Sequence, residues 1–336
     1  MLSRRHFLSF DFNGGRSNGS DHWIRVHRIA MACRFEVVLE SGDARQVGAA
    51  RKALDEADRL EAILTVFRDS SEVVRVNATA AGQDVRVSPE LFDLLHRSEA
   101  LFRDTDRAFD VTATPLSRAW GFLRREGRVP DQATIDEARA KVGMAHIRLD
   151  AVTRSVQFDR PNVELNFGAI GKGYALDRMA AMMRRDGVRH ALLHAGQSSV
   201  LAIGPSTRSA RSGQGWPIDI RPRRAHAPVG RLLLRDGAVG TSGAGEQYFE
   251  IDGRRYGHVI DPRTGWPASG VLGASVITRD AATADALSTA ILIDGAALAE
   301  RYCADHPDTL VVVVPEEEPG RTQVFGSYTG ATLELA

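Results

Sequence analysis

Apolar residues partly alternate from Ile24 to Glu40, with Ile24, Val26, Phe35, Val37 and Leu39 on a two-residue period, and this predicts a strand pair. The period then changes. Over residues 43 to 64, Val47, Ala50, Leu54, Ala57, Leu60 and Leu64 recur at three- and four-residue steps, the spacing of an amphipathic helix. Ser88-Pro89-Glu90 supplies a cap, a first-turn proline and an early acid, and Leu91, Leu94, Leu95 and Leu101 carry a second helical stripe. Residues 105 to 122 have no clean period and mix polar with aromatic side chains, a composition that suits a site. A short helix is expected near 131 to 142, strands near 146 to 149, 155 to 158 and 162 to 166, and a helix over 172 to 186. Residues 190 to 203 suggest strands around the turn His194-Ala195-Gly196-Gln197-Ser198. Pro205 to Gly215 reads as an exposed loop. Further strands fit 217 to 221, 229 to 234, 246 to 251 and 272 to 277, with helices near 281 to 293 and 295 to 305 and a terminal strand pair at Thr309 to Val314 and Thr322 to Ser327. This irregular order, without a repeat, predicts an α+β fold rather than a βαβ series.

Length and composition narrow the function. A chain of 336 residues favours two domains or one two-lobed domain. Lys+Arg and Asp+Glu are both 43, so the basic excess of a nucleic-acid binder is missing and no nucleic-acid partner is expected. The longest apolar runs, such as Val311 to Val314, are too short to span a membrane. Cys33 and Cys303 have neither disulfide-framework nor metal spacing. Ser3-Arg4-Arg5-His6-Phe7-Leu8 is like a twin-arginine export signal, but the polar residues to about Asp21 supply no apolar h-region. We therefore expect a disordered tail over 1–22 and a cytoplasmic protein, with a periplasmic location as the alternative.

Four segments carry candidate chemistry. Gly168-Ala-Ile-Gly-Lys-Gly173 lies between an expected strand and an expected helix, where backbone N–H groups hold anions. It is neither a dinucleotide fingerprint nor a P-loop. Only Lys52, Lys141 and Lys172 are lysine among the 43 basic residues, which favours a phosphate contact for Lys172 over a solvated turn lysine. Asp285-Ala-Leu-Ser-Thr289 sets a carboxylate and a hydroxyl on one helical face, suited to Mg²⁺, although the residues by themselves fit better a helix-start Asp285 with Thr289 as filler. His258-Val-Ile-Asp-Pro-Arg-Thr-Gly265 joins turn residues to a histidine that the turn does not require. Gly240-Thr-Ser-Gly-Ala244 fails as a nucleophile elbow at Ala244, so a Ser242–His258–Asp261 triad is a poor fit. Met179, Met182 and Met183 suit core packing, as do Phe109, Trp120 and Phe122.

Ordered together, these segments resemble the ApbE family of FAD:protein FMN transferases. The resemblance runs from about 31 to 295. It rests on Phe67-Arg-Asp-Ser-Ser-Glu72 with Asn77, Ala108-Phe-Asp-Val-Thr112 with Pro115-Leu116 and Trp120-Gly-Phe122, Asn166-Phe-Gly-Ala-Ile-Gly-Lys-Gly-Tyr-Ala-Leu-Asp177, Thr241-Ser-Gly243, Tyr256-Gly-His-Val-Ile-Asp-Pro-Arg-Thr-Gly265 and Ala284-Asp-Ala-Leu-Ser-Thr289. It implies one domain over 23–336, two-lobed, with mixed sheets, packed helices and a ligand cleft between the lobes. It also implies Mg²⁺-dependent cleavage of FAD, with FMN attached through a phosphoester to a threonine of an acceptor protein and AMP released. By matching positions, Met31, Phe67, Ala108, Phe109, Asp110, Asn166 and Ile260 would border the flavin nucleotide. Lys172 would contact phosphate, and His258 would sit near the reacting phosphorus. The Ala169 carbonyl, Asp285 and Thr289 would hold Mg²⁺, so that His258, Lys172 and Asp285 form the catalytic set. The chain departs from the family pattern at Met31-Ala32-Cys33 (usually Met-Gly-Thr), Phe67 (tyrosine), Asn166 (often aspartate), His194-Ala-Gly-Gln-Ser198 (Asn-Ala-Gly-Gly-Asp) and Ala244-Gly245, where an aromatic usually follows Thr-Ser-Gly. These departures keep two alternatives open: an FAD pyrophosphatase with water as acceptor, and a non-catalytic FAD-binding protein on the same scaffold.

Overall fold

A computed structural model describes residues 8–9, 23–206, 215–221, 228–245, 247–318 and 320–336. Most of the 1–22 segment and of the Pro205 to Gly215 loop lies outside them. Leu8–Ser9 pairs antiparallel with the Trp216–Ile220 strand.

The long alternating and apolar segments assemble into an eight-stranded sheet whose described neighbours are all antiparallel. Its order is Gln323–Ser327, Thr309–Pro315, Val271–Thr278, Ala238–Gly243, Ser199–Ile203, Ala191–Ala195, Cys33–Glu40, Trp23–Ala30. Inner strands such as Ala191–Ala195 and Ser199–Ile203 are buried at every position, as strands covered on both faces must be. One face meets a four-stranded sheet, where Val38, Leu192, Val200 and Ile277 pack with Trp216, Ile218, Leu232 and Leu234. The helices Val47–Leu64, Gly171–Arg185 and Ala281–Asp294 belong to the larger cluster on the other face. A third, aromatic cluster joins Leu116, Trp120, Phe122, Ile135, Tyr256 and Ile260. Mixed helix and antiparallel sheet make the fold α+β, as the sequence predicts.

The first long helix begins at Val47, because residues 41–46 form a tighter 3-10 turn. The strand expected near 162 to 166 does not form. Asn162 stands in a turn at φ 65° and residues 163–166 join no strand; the Asn77 side chain donates to the Leu165 carbonyl at 3.0 Å and accepts from its N–H at 2.8 Å, and the Asn166 N–H donates to the Val111 carbonyl at 2.8 Å. The sequence pattern does not predict the Glu72–Thr79 helix or the Ala238–Gly243, Arg254–Gly257 and Ala331–Leu335 strands.

Two glycines bring the Ala281–Asp294 helix against its neighbours. A Cβ on Gly173 would lie 2.0 Å from the Ala281 carbonyl oxygen, and one on Gly240 would lie 2.3 Å from the Ala284 carbonyl. Only glycine permits these backbone approaches. Asp177 then ties the helix down: its two carboxylate oxygens accept from the Ala281 and Ala282 N–H groups at 2.7 and 3.0 Å. Burial, with Asp280 nearby, pushes the Asp177 carboxyl up to about 7. The unfolded value is near 3.9. A raised folded value gives stability that is full below about pH 4 and is lost as pH rises through about 7. Asp177→Asn is therefore expected to flatten this part of the pH profile. The wild type should lose melting temperature relative to the variant between pH 4 and 7, as followed by thermal denaturation.

Candidate active site

The Gly168–Gly173 segment folds as the turn and first helical residues leading into Gly171–Arg185, so Lys172 stands in the first turn of that helix. Facing it is the Ala281–Asp294 helix, buried nearly all round yet carrying Asp285. Asp285 is not a helix-start residue. That role belongs to Asp280, whose carboxylate accepts from the Thr283 N–H at 2.9 Å. Asp285 is only 5% exposed, and a buried carboxylate requires donors. Its Oδ2 accepts from the Gly173 N–H at 2.7 Å and its Oδ1 from the Ser199 hydroxyl at 2.6 Å. One turn later the Thr289 hydroxyl donates to the Asp285 carbonyl at 3.3 Å and lies 3.1 Å from Ser242 Oγ.

These groups line a cavity of about 320 Å³. Phe109, Asp110, Asn166, Ala169, Lys172, His258, Ile260, Asp285 and Thr289 all contribute to its wall. Ser198, Thr241, Ser242 and Ser288 add a bank of hydroxyls. A second hollow of about 210 Å³ adjoins it through Asn166, Gly168 and Lys172 and is bordered by Met31, Ala32, Leu64, Val66 and Phe67. Phe67 is 81% exposed, an apolar ring held at the rim rather than in the core. Ala108 differs from the other expected contacts: it is buried and borders neither hollow, so its side chain packs inside while Phe109 and Asp110 reach the wall.

His258 enters from the loop that follows the Arg254–Gly257 strand. Its Nδ1 lies 3.1 Å from the Gln247 carbonyl, which can only accept, so the ring proton sits on Nδ1. In the neutral ring Nε2 is then the basic nitrogen. Asp261 does not orient His258. It accepts from Arg263 through both oxygens at 2.8 and 2.9 Å, and Arg263 also reaches Asp294 at 2.9 Å. With Ser242 bonded to Ser288 and Thr289, no hydrolytic triad forms among these three residues. Burial pushes the Asp110 carboxyl up to about 6, against hydrogen bonds from the Thr112 N–H at 2.8 Å and hydroxyl at 2.6 Å. Burial likewise holds the Cys33 thiol up at about 11 despite the charge of Lys172, so Cys33 is a neutral neighbour at neutral pH.

Ser199 and Ser288 are the polar positions that sequence reasoning passes over. The available signal was a hydroxyl heading the otherwise apolar run Val200-Leu201-Ala202-Ile203, and a serine three residues after Asp285. Among the described residues no three His, Cys, Asp or Glu side chains group as a metal cluster. One carboxylate with neutral oxygens is a hard-donor set, the chemistry suited to Mg²⁺ that also takes substrate phosphates.

The sequence model of the ApbE family matches residues 31–314. The chain belongs to the ApbE family. An FAD:protein FMN transferase of Klebsiella pneumoniae (strain 342) is 34% identical over 249 residues, covering 73% of this chain and 74% of its own length. The FAD:protein FMN transferase of Salmonella typhimurium is 28% identical over 300 residues, covering 87% and 84%. The crystal structure of the ApbE protein from Thermotoga maritima superposes with a TM-score of 0.80 at 30% identity, covering 92% of this chain and 98% of that one. The apo form of the Pseudomonas stutzeri flavinyl transferase ApbE gives 0.77 at 29% identity, covering 91% and 95%.

Within this ApbE fold, the departure at Ala32, which follows Met31 where glycine is usual, has a local cost. Both residues form the two-residue hairpin between Trp23–Ala30 and Cys33–Glu40 at positive φ, 49° and 57°. Left-handed backbone costs a non-glycine residue about 1–2 kcal/mol. Ala32→Gly is expected to gain about 1 kcal/mol after the added unfolded-chain entropy, read as a higher midpoint in urea.

Proposed function

We propose that this chain catalyses Mg²⁺-dependent transfer of the FMN half of FAD to a threonine hydroxyl of an acceptor protein, releasing AMP. The reading is supported above all by one observation: Asp285, Thr289, Ala169, Lys172 and His258 share a cavity wall beside a hollow bordered by Met31 and Phe67. The names of the Klebsiella and Salmonella relatives support its coarser part, transfer of FMN from FAD to a protein.

In this mechanism the second hollow and the Asn166 and Asp110 walls hold the flavin nucleotide. Asp285, Thr289 and the Ala169 carbonyl would hold a magnesium ion, which would supply positive charge to the pyrophosphate oxygens. Lys172 adds its own charge there and orients the phosphates. The acceptor threonine oxygen bonds to the FMN-side phosphorus. The bond from that phosphorus to the bridging oxygen breaks, and AMP leaves with that oxygen and the electron pair. His258 Nε2 takes the threonine proton, with Nδ1–H held by the Gln247 carbonyl.

The test is incubation of the protein with FAD and Mg²⁺, with and without EDTA, with AMP and FMN followed by chromatography. AMP release that requires both metal and a threonine-bearing acceptor is the expected result. Metal-dependent FMN and AMP without an acceptor would assign water as the acceptor. FAD bound without turnover would make the chain a flavin carrier.

A further inference from the structure

Ser199 opens the Ser199–Ile203 strand, is fully buried, and heads a run of apolar side chains. A hydroxyl in such a place costs stability unless it is hydrogen-bonded. Its proton goes to Asp285 Oδ1 at 2.6 Å, while the Gly173 N–H holds Oδ2 at 2.7 Å. The two donors come from different elements, the sheet and the neighbouring helix, and they grip opposite oxygens, so the carboxylate is held against rotation. With its one proton directed to Asp285, Ser199 can only accept from Ser198 Oγ, 3.4 Å away on the cavity wall. The turn behind these serines is braced in turn. His194 Nδ1 lies 3.1 Å from the Gly196 carbonyl and its Nε2 3.3 Å from the buried Glu36 carboxylate.

We propose that Ser199 is a positioning residue that pre-orients the Asp285 carboxylate for a divalent cation; this rests on the metal reading above. Groups that orient a metal ligand through a hydrogen bond typically change metal affinity by about 10–100-fold when removed. Ser199 is buried behind the cavity and lines neither hollow, so its effect should appear in metal affinity before any reaction occurs.

The experiment is an Mn²⁺ titration of the full chain without FAD, followed by electron paramagnetic resonance, on the wild type, Ser199→Ala, Ser199→Cys and Asp285→Asn. Ser199→Ala should weaken Mn²⁺ binding by about tenfold or more, with a lowered melting temperature because the buried Asp285 carboxylate loses a donor. Ser199→Cys keeps the side-chain shape but offers only a weak donor, and it should weaken binding in the same way, which covers the case of an unfolded alanine variant. Mn²⁺ affinity within twofold of wild type in the folded Ser199 variants, with binding lost in Asp285→Asn, would overturn the role of Ser199 alone. No saturable binding by the wild type, or full binding by Asp285→Asn, would overturn the metal reading and this inference with it.

Discussion

Asp285→Asn is expected to lower kcat/KM for FAD cleavage by a factor on the order of 10³ or more. Asparagine keeps the shape and one acceptor oxygen, so it can still serve either the Gly173 N–H of the neighbouring helix or the Ser199 hydroxyl of the sheet. What it removes is the negative charge that the proposed cation needs. Alanine would be the poorer test, because it strands both buried donors and confounds folding with catalysis. Initial rates of AMP formation at several Mg²⁺ concentrations check the expectation. A loss that excess Mg²⁺ partly reverses fits a ligand, whereas turnover within a few-fold of wild type would remove Asp285 from the catalytic set. Thr289→Ala, which deletes a neutral oxygen, should cost less than Asp285→Asn in the same assay.

Trp120→Ala is expected to cost about 3–5 kcal/mol of stability, the range for a buried large aromatic. Trp120 is fully buried and packs with Tyr256 at 5.4 Å and Trp266 at 5.2 Å between ring centroids. Its indole N–H donates to the Gly265 carbonyl at 2.8 Å, fastening the end of the loop that begins at His258. The variant should therefore lose stability and FAD turnover together. Trp266→Ala, at a half-buried ring, should lose less of each. Urea denaturation with parallel rate measurements separates the cases. A Trp120 variant of normal stability would show that this cluster does not support the site.

The fold was legible wherever periodicity was strong. The Leu54–Leu60–Leu64 stripe, the Ser88-Pro89 start and the Ala191 to Ile203 strand pair all form where the pattern puts them. Weak local signals hid the rest. The Ala238–Gly243 strand, Ala-Val-Gly-Thr-Ser-Gly, is poor in strand-formers and is set by neighbours on both sides and by the close approach that Gly240 permits. Residues 162 to 166 alternate like a strand but find an asparagine side chain in place of a partner strand. In the site, Lys172, His258, Asp285 and Thr289 stood out by chemistry and spacing. Ser199 did not, because its partner lies 86 residues away and only the fold joins them. Ala108 shares the motif of Phe109 and Asp110, but the backbone turns its side chain into the core.

Group transfer, the central claim, is tested most directly by intact-protein and peptide mass spectrometry of a threonine-bearing acceptor incubated with the protein, FAD and Mg²⁺. The account predicts one FMN joined through phosphoester to threonine, with AMP formed in equal amount and both lost with EDTA. AMP without an adduct, or an unmodified acceptor beside intact FAD, would contradict it.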